Sequence, residues 1–125
     1  MNDWRDLRFA PAPGTHLCGL DEVPPKGREV MLGEGKDAFR IAVFRTPDGV
    51  RAYLNRCPHF GTPLNVAPTF SIFRDTVICV SHFAMFRLDD GYCIDGPCLG
   101  GSLDAIPVVL HGETIVVDEM EPGRG

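Results

Sequence analysis

Short runs of apolar and β-branched residues, broken by Gly, Pro and Asp at intervals typical of antiparallel hairpins, organise most of this chain. The clearest run covers residues 39–45, where Phe39, Ile41 and Val43 share one face. Pro47-Asp48-Gly49 then turns the chain back into residues 50–54. Two more hairpins are predicted on the same grounds. One joins 84–88 to 92–94 through Asp89-Asp90-Gly91, and the other joins 108–110 to 114–117 across His111-Gly112. A further strand is expected at 76–80. Helical periodicity never exceeds two turns, and the one short candidate, residues 20–23, is stopped by Pro24-Pro25. The pattern is all-β, built from antiparallel sheets. There is no internal repeat or low-complexity segment, and only residues 121–125 are expected to fray. Two stretches do not read as hairpin scaffold: residues 55–69 and 96–101, both rich in Pro and Gly.

A length of 125 residues suits one domain, expected to span 1–125. Apolar residues form 44% of the chain and charged residues 23%, enough for a packed core without disulfides. The formal charge of −5, from 17 acidic and 12 basic residues, disfavours nucleic acid or an anionic membrane as the main partner. Basic or mixed protein surfaces suit it better. The first residues mix charges where an export signal needs a basic start and an apolar run. No stretch reaches the roughly 18 uncharged apolar residues of a bilayer span, so a cytoplasmic protein is expected. The five cysteines are odd in number, and in a reducing compartment their use is metal binding, catalysis or packing.

Spacing separates two motifs from the rest: Cys57-Pro58-His59, and Cys79-Val80-Ser81-His82 at the end of a predicted strand. Each offers one thiolate and one imidazole. The 19 residues between them, 60–78, are enough for a loop that returns the motifs face to face. Two metals fit such a set. A zinc ion would be neutralised by the two thiolates in a closed tetrahedral site. Zinc fingers, however, usually pair Cys with Cys and His with His on a helix, whereas each loop here carries one of each. If both cysteines bind one iron and both histidines another, each loop touches both metals and the two loops clamp a binuclear centre. Neither the zinc site nor a Cys79–His82 nucleophile pair explains both motifs and the Gly96-Pro97 loop together, and four residues buried for packing alone would have this spacing only by chance.

The sequence from Asn55 through Cys57-Pro58-His59 to Leu64, and Cys79-Val80-Ser81-His82 with Gly96-Pro97, closely resemble the two boxes of the Rieske family. The resemblance covers about residues 17–117. It implies three β-sheets with a small cluster-binding subdomain, loops at about 55–69, 79–84 and 96–101, and a 2Fe-2S cluster held by Cys57, His59, Cys79 and His82. Two neutral imidazoles in place of two thiolates make the cluster easier to reduce, within about −150 to +300 mV against about −400 mV for plant-type ferredoxins. High-potential members carry an additional cysteine in each box that together form a disulfide, and Gly-Ser after the second histidine. Here those positions hold Thr62, Ser81 and Phe83-Ala84, which matches the low-potential, ferredoxin-like branch.

Cys18, Cys93 and Cys98 read as small buried hydrophobes, with Cys98 nearest the resembled cluster loop and the one of the three most relevant to oxidation. His16 and His111 read as surface residues, and Trp4 has no assigned role. Phe60, Phe83, Pro58, Pro97 and Leu99 would form an apolar rim, either shielding the cluster or docking a redox partner. The resemblance implies an electron-transfer component without its own substrate site, monomeric, passing electrons from a flavin reductase to a terminal oxygenase or reductase. The alternatives are a small subunit of a larger reductase, such as nitrite reductase, and a cluster-based redox sensor.

Overall fold

The computed structural model describes residues 4–58, 61–66, 69–80 and 83–118. Among the described residues ten strands form three antiparallel sheets. In the first, β10 (Thr114–Val117) lies between β1 (His16–Gly19) and β9 (Val108–His111). In the second, β3 (Phe39–Thr46) lies between β2 (Arg28–Leu32) and β4 (Gly49–Leu54). The third runs in chain order through β5 (Ser71–Phe73), β6 (Thr76–Ile78), β7 (Met85–Arg87) and β8 (Cys93–Asp95). Among the described residues, helix is confined to single 3₁₀ turns at Trp4–Asp6, Leu20–Glu22 and Gly35–Asp37. None is long and apolar enough to cross a membrane.

The hairpins expected from the hydrophobic pattern form. Thr46 pairs with Gly49 across the two-residue turn Pro47-Asp48, and His111 pairs with Thr114 across Gly112-Glu113. The strand expected at 76–80 ends at Ile78, because Cys79 leaves the ladder to begin a turn. Strands β1, β2 and β5 were not legible in the pattern. In β2 (Arg-Glu-Val-Met-Leu) burial does not alternate, and β1 is four residues long with a register break between His16 and Cys18. The β5–β6 hairpin turns on Arg74-Asp75 with Arg74 at φ +58°, a conformation that sequence reading assigns to Gly or Asn.

Strand β3 is buried on both faces. Phe39, Ile41 and Val43 pack with Trp4, Val23, Ala52, Leu54, Ile106 and Ile115. Ala42 and Phe44 point the other way, into a core shared with Tyr53, Cys57, Leu64, Val77, Cys79 and Phe86. The alternation of side chains along a strand sends successive residues to opposite sides, so one strand serves two cores. Trp4 acquires a role here: it is buried, meets Phe39 edge-on at 5.9 Å, and its Nε1–H donates to the Ala105 carbonyl at 3.1 Å. The second core lies beneath the loops at one end of the molecule, and Tyr53 ties it together by donating its buried hydroxyl to the Leu88 carbonyl at 2.8 Å.

Candidate metal centre

Two chain segments make the same turn at this end. In the first, the Cys57 N–H donates to the Thr62 carbonyl at 2.7 Å, and the Gly61 N–H donates back to the Cys57 carbonyl at 2.7 Å. In the second, the Cys79 N–H donates to the Ala84 carbonyl at 2.8 Å, and the Phe83 N–H donates back to the Cys79 carbonyl at 2.7 Å. Each turn thus closes from its cysteine to the fifth residue on, and back from the fourth. That fourth residue adopts the left-handed region in both: Gly61 at φ +76° and Phe83 at φ +62°. Glycine takes this conformation without penalty, whereas a residue with a Cβ is strained by roughly 1–2 kcal/mol. The Phe83 substitution therefore leaves the turn intact and strained. A bond from the Val80 N–H to the Leu64 carbonyl at 3.1 Å stitches the second turn to the first.

A third loop closes the site. Gly96, at φ +93°, packs so tightly that a Cβ there would stand 2.7 Å from the Cα of Ala84. Glycine at this position therefore lets the loop lie against the second turn. The loop is bound back on itself by bonds from the Leu99 N–H to the Gly96 carbonyl at 3.1 Å and from the Gly101 N–H to the Cys98 carbonyl at 2.8 Å. It brings the Cys98 Sγ to 3.4 Å from the Cys57 Sγ.

Of the four expected ligands, Cys57 and Cys79 are fully buried at equivalent positions of the twin turns. His59 and His82 lie outside the described residues, as does Phe60. Among the described residues no group of three or more His, Cys, Asp or Glu side chains gathers. The chemistry of the described half nevertheless fits a metal that takes thiolates: two cysteines at matched places, each in a turn whose sequence includes one histidine. The Thr62 hydroxyl, in the first turn, is buried with no hydrogen-bond partner among the described residues. Cys18 and Cys93 behave as packing groups. Burial pushes the thiols of Cys18 and Cys93 up from their ordinary value, so both stay protonated at neutral pH. His16 and His111 are exposed as expected.

A polar cluster that the sequence reading did not single out braces the first turn. Buried Asn55 and Asn65 bracket it, and the Asn55 Nδ2 donates to the Asn65 Oδ1 at 2.7 Å and to the Glu29 Oε2 at 2.8 Å. The Asn55 Oδ1 accepts from the Leu64 N–H at 2.8 Å. Arg40 completes the set with a two-pronged contact to Glu29, Nη2 to Oε1 at 3.0 Å and Nε to Oε2. Burial alone would raise the Glu29 carboxyl, but the bonds from Arg40, Asn55 and Asn65 outweigh it and hold the group below its ordinary value. The only sequence signal for this brace was a pair of asparagines flanking a ligand motif, and asparagine is too common in loops to stand out.

Several apolar residues of these three loops are exposed. Phe83 is 73% exposed and Leu99 66%, with Pro58 and Pro97 exposed beside them.

The sequence model of the Rieske [2Fe-2S] domain matches residues 15–113. No curated protein sequence matches the chain. Among solved structures, the ferredoxin of carbazole 1,9a-dioxygenase from Nocardioides aromaticivorans IC177 is similar with a TM-score of 0.66 and 23% identity, over 87% of this chain and 100% of that one. The Sphingomonas yanoikuyae B1 ferredoxin is similar with a TM-score of 0.67 and 20% identity, over 86% and 99%. The terminal oxygenase of carbazole 1,9a-dioxygenase from Novosphingobium sp. KA1 aligns with a TM-score of 0.70 and 21% identity, over 88% of this chain but 32% of that one. These likenesses establish the shared fold, and the match over residues 15–113 goes further: the chain belongs to the Rieske [2Fe-2S] domain family.

Proposed function

We propose that this protein is a single-domain, one-electron carrier in which Cys57 and Cys79 hold one iron as thiolates while His59 and His82 hold the other through imidazole nitrogens. When bound, the cluster supplies one reversible electron at a potential above that of all-cysteine ferredoxins. The chain's own residues do the rest. The twin turns hold both thiols at fixed positions, and full burial of Cys57 and Cys79 excludes water from them. Fixing ligands before the metal arrives lowers the cost of binding it.

The observation that carries the reading is the pair of buried cysteines in matching turns, with exposed apolar residues Pro58, Phe83, Pro97 and Leu99 in the loops that carry or meet them. Exposed apolar residues of that kind suit brief docking of a redox protein, and the donor of electrons would be a flavin reductase. The acceptor we assign is a terminal oxygenase. Solved structures similar to this chain include oxygenase–ferredoxin complexes of carbazole 1,9a-dioxygenase, which supports that choice. The carrier has no substrate site of its own in this reading.

The test begins with composition. Purified protein should be red-brown, with equal iron and acid-labile sulfide, about two of each per chain. One zinc and no sulfide would end the proposal. Anaerobic stopped-flow mixing with a flavin reductase should then bleach the visible bands, and addition of an oxidised Rieske oxygenase should restore them. A cluster that no reductase reduces would count against the carrier role.

A further inference from the structure

We infer that Cys98 is a hydrogen-bond donor to the cluster ligand Cys57, and that its thiol proton sets the reduction potential; the inference rests on the ligand assignment proposed above. The two Sγ atoms lie 3.4 Å apart, inside the range of a sulfur hydrogen bond, and both residues are buried. Geometry alone leaves the direction open, since either thiol could donate. Metal binding removes the ambiguity, because a cysteine bound to iron is a thiolate with no proton to give. Cys98 must then be the donor and Cys57 the acceptor.

The loop is built to hold that contact. The Gly101 N–H fixes the Cys98 carbonyl at 2.8 Å, and Gly96 lies against Ala84 with no room for a Cβ. Reduction adds negative charge to the cluster and its thiolates. A donor aimed at one of those sulfurs therefore stabilises the reduced form more than the oxidised form, and hydrogen bonds to sulfur are among the features that set such potentials. A thiol is a weak donor, but the low local dielectric around a buried pair strengthens it.

A packing role and a donor role make opposite predictions. Loss of the Cys98 side chain would open space beside the cluster, and added water favours the more negative, reduced form, so a purely structural effect raises the potential or leaves it unchanged. Loss of a donor lowers it. Protein-film voltammetry on cluster-loaded wild type, Cys98→Ala and Cys98→Ser should show the Ala variant with an equilibrium constant for reduction about tenfold lower, which is about 59 mV for one electron. The Ser variant, whose hydroxyl can still donate, should recover at least half of that loss.

Redox-difference infrared spectroscopy provides a readout that requires no tolerated Ala variant. In wild type, the S–H stretch of Cys98 should move to lower frequency on reduction, and Cys98→Ser should remove that band. An unchanged or raised potential in Cys98→Ala, or no thiol band responding to reduction in wild type, overturns the inference. The ligand assignment is checked separately: if Cys57→Ala retains the visible spectrum, it is that assignment which fails.

Discussion

Asn55→Asp is the sharpest probe of the brace under the first turn, because it preserves shape and the acceptor while removing both donors. The Asn55 Oδ1 would still accept from Leu64, but the bonds from Nδ2 to Glu29 and Asn65 would be lost. In their place a new carboxyl stands 2.8 Å from the Glu29 Oε2. Two carboxylates that close do not both stay ionised, so the pair takes up a proton. Holding a proton at pH 7 on a group with an ordinary value near 4 costs about 4 kcal/mol, at about 1.4 kcal/mol per pH unit. The new O–H restores the bond to Glu29, which leaves the Asn65 bond as a further loss of about 1 kcal/mol. The expected destabilisation at pH 7 is therefore about 4–5 kcal/mol. Near pH 5 the proton costs about 1.4 kcal/mol, and the deficit should fall to about half. For a domain of this size each kcal/mol moves the Tm by roughly 4 °C. Circular dichroism melts of cluster-loaded wild type and variant at the two pH values measure both effects. A loss under about 4 °C at pH 7, or a deficit that grows as pH falls, would refute the account.

Four further outcomes follow, three from the geometry and one from the proposed ligand set. At φ +62°, Phe83 should give way to Gly more readily than to Ala, with Phe83→Gly melting higher than Phe83→Ala by the equivalent of about 1 kcal/mol, and in stopped-flow mixing both variants should pass electrons to the proposed oxygenase acceptor more slowly for want of the exposed ring. Gly96→Ala should lose at least about 2 kcal/mol and shed its cluster faster on dilution, because its Cβ would meet the Ala84 backbone. Glu29 is held below its ordinary value of 4.5, so its contribution is complete above that pH and is lost as pH falls through the lower folded value; Glu29→Gln should flatten that part of an acid denaturation curve. Ala at Cys57, His59, Cys79 or His82 should abolish the visible spectrum while Ser at Cys18 or Cys93 leaves it, with metal analysis as the check.

Much of the scaffold was legible because its hairpins carry their own punctuation. Pro47-Asp48-Gly49 and Asp89-Asp90-Gly91 mark reversals in sequence that the structure makes in space. The strands that escaped notice lack such marks: β5 turns on an arginine, and β2 has no alternation to read. The ligand motifs stood out because Cys and His are rare and each motif sets one of each close together. The brace of Glu29, Arg40, Asn55 and Asn65 did not, since its members lie on three separated segments and meet only after β2, β3 and the first turn have come together. The contact between Cys57 and Cys98 was invisible for the same reason, its partners lying 41 positions apart in sequence.

The double burial of β3 bears on whether the cluster-binding end is a portable module. Ala42 and Phe44 belong to the core beneath the loops, while Ile41 and Val43, their neighbours in the same strand, belong to the other. An excision that kept only β5–β8 and the loops would leave the cluster core without one of its walls. One that also kept the β2–β4 sheet would expose Ile41, Val43, Ala52 and Leu54 to water, at roughly 1.5–3 kcal/mol for each larger side chain. A graft into another scaffold would therefore have to supply a replacement for Trp4, Ile106 and Ile115 on the far side of that sheet, even though all three lie outside the two ligand turns.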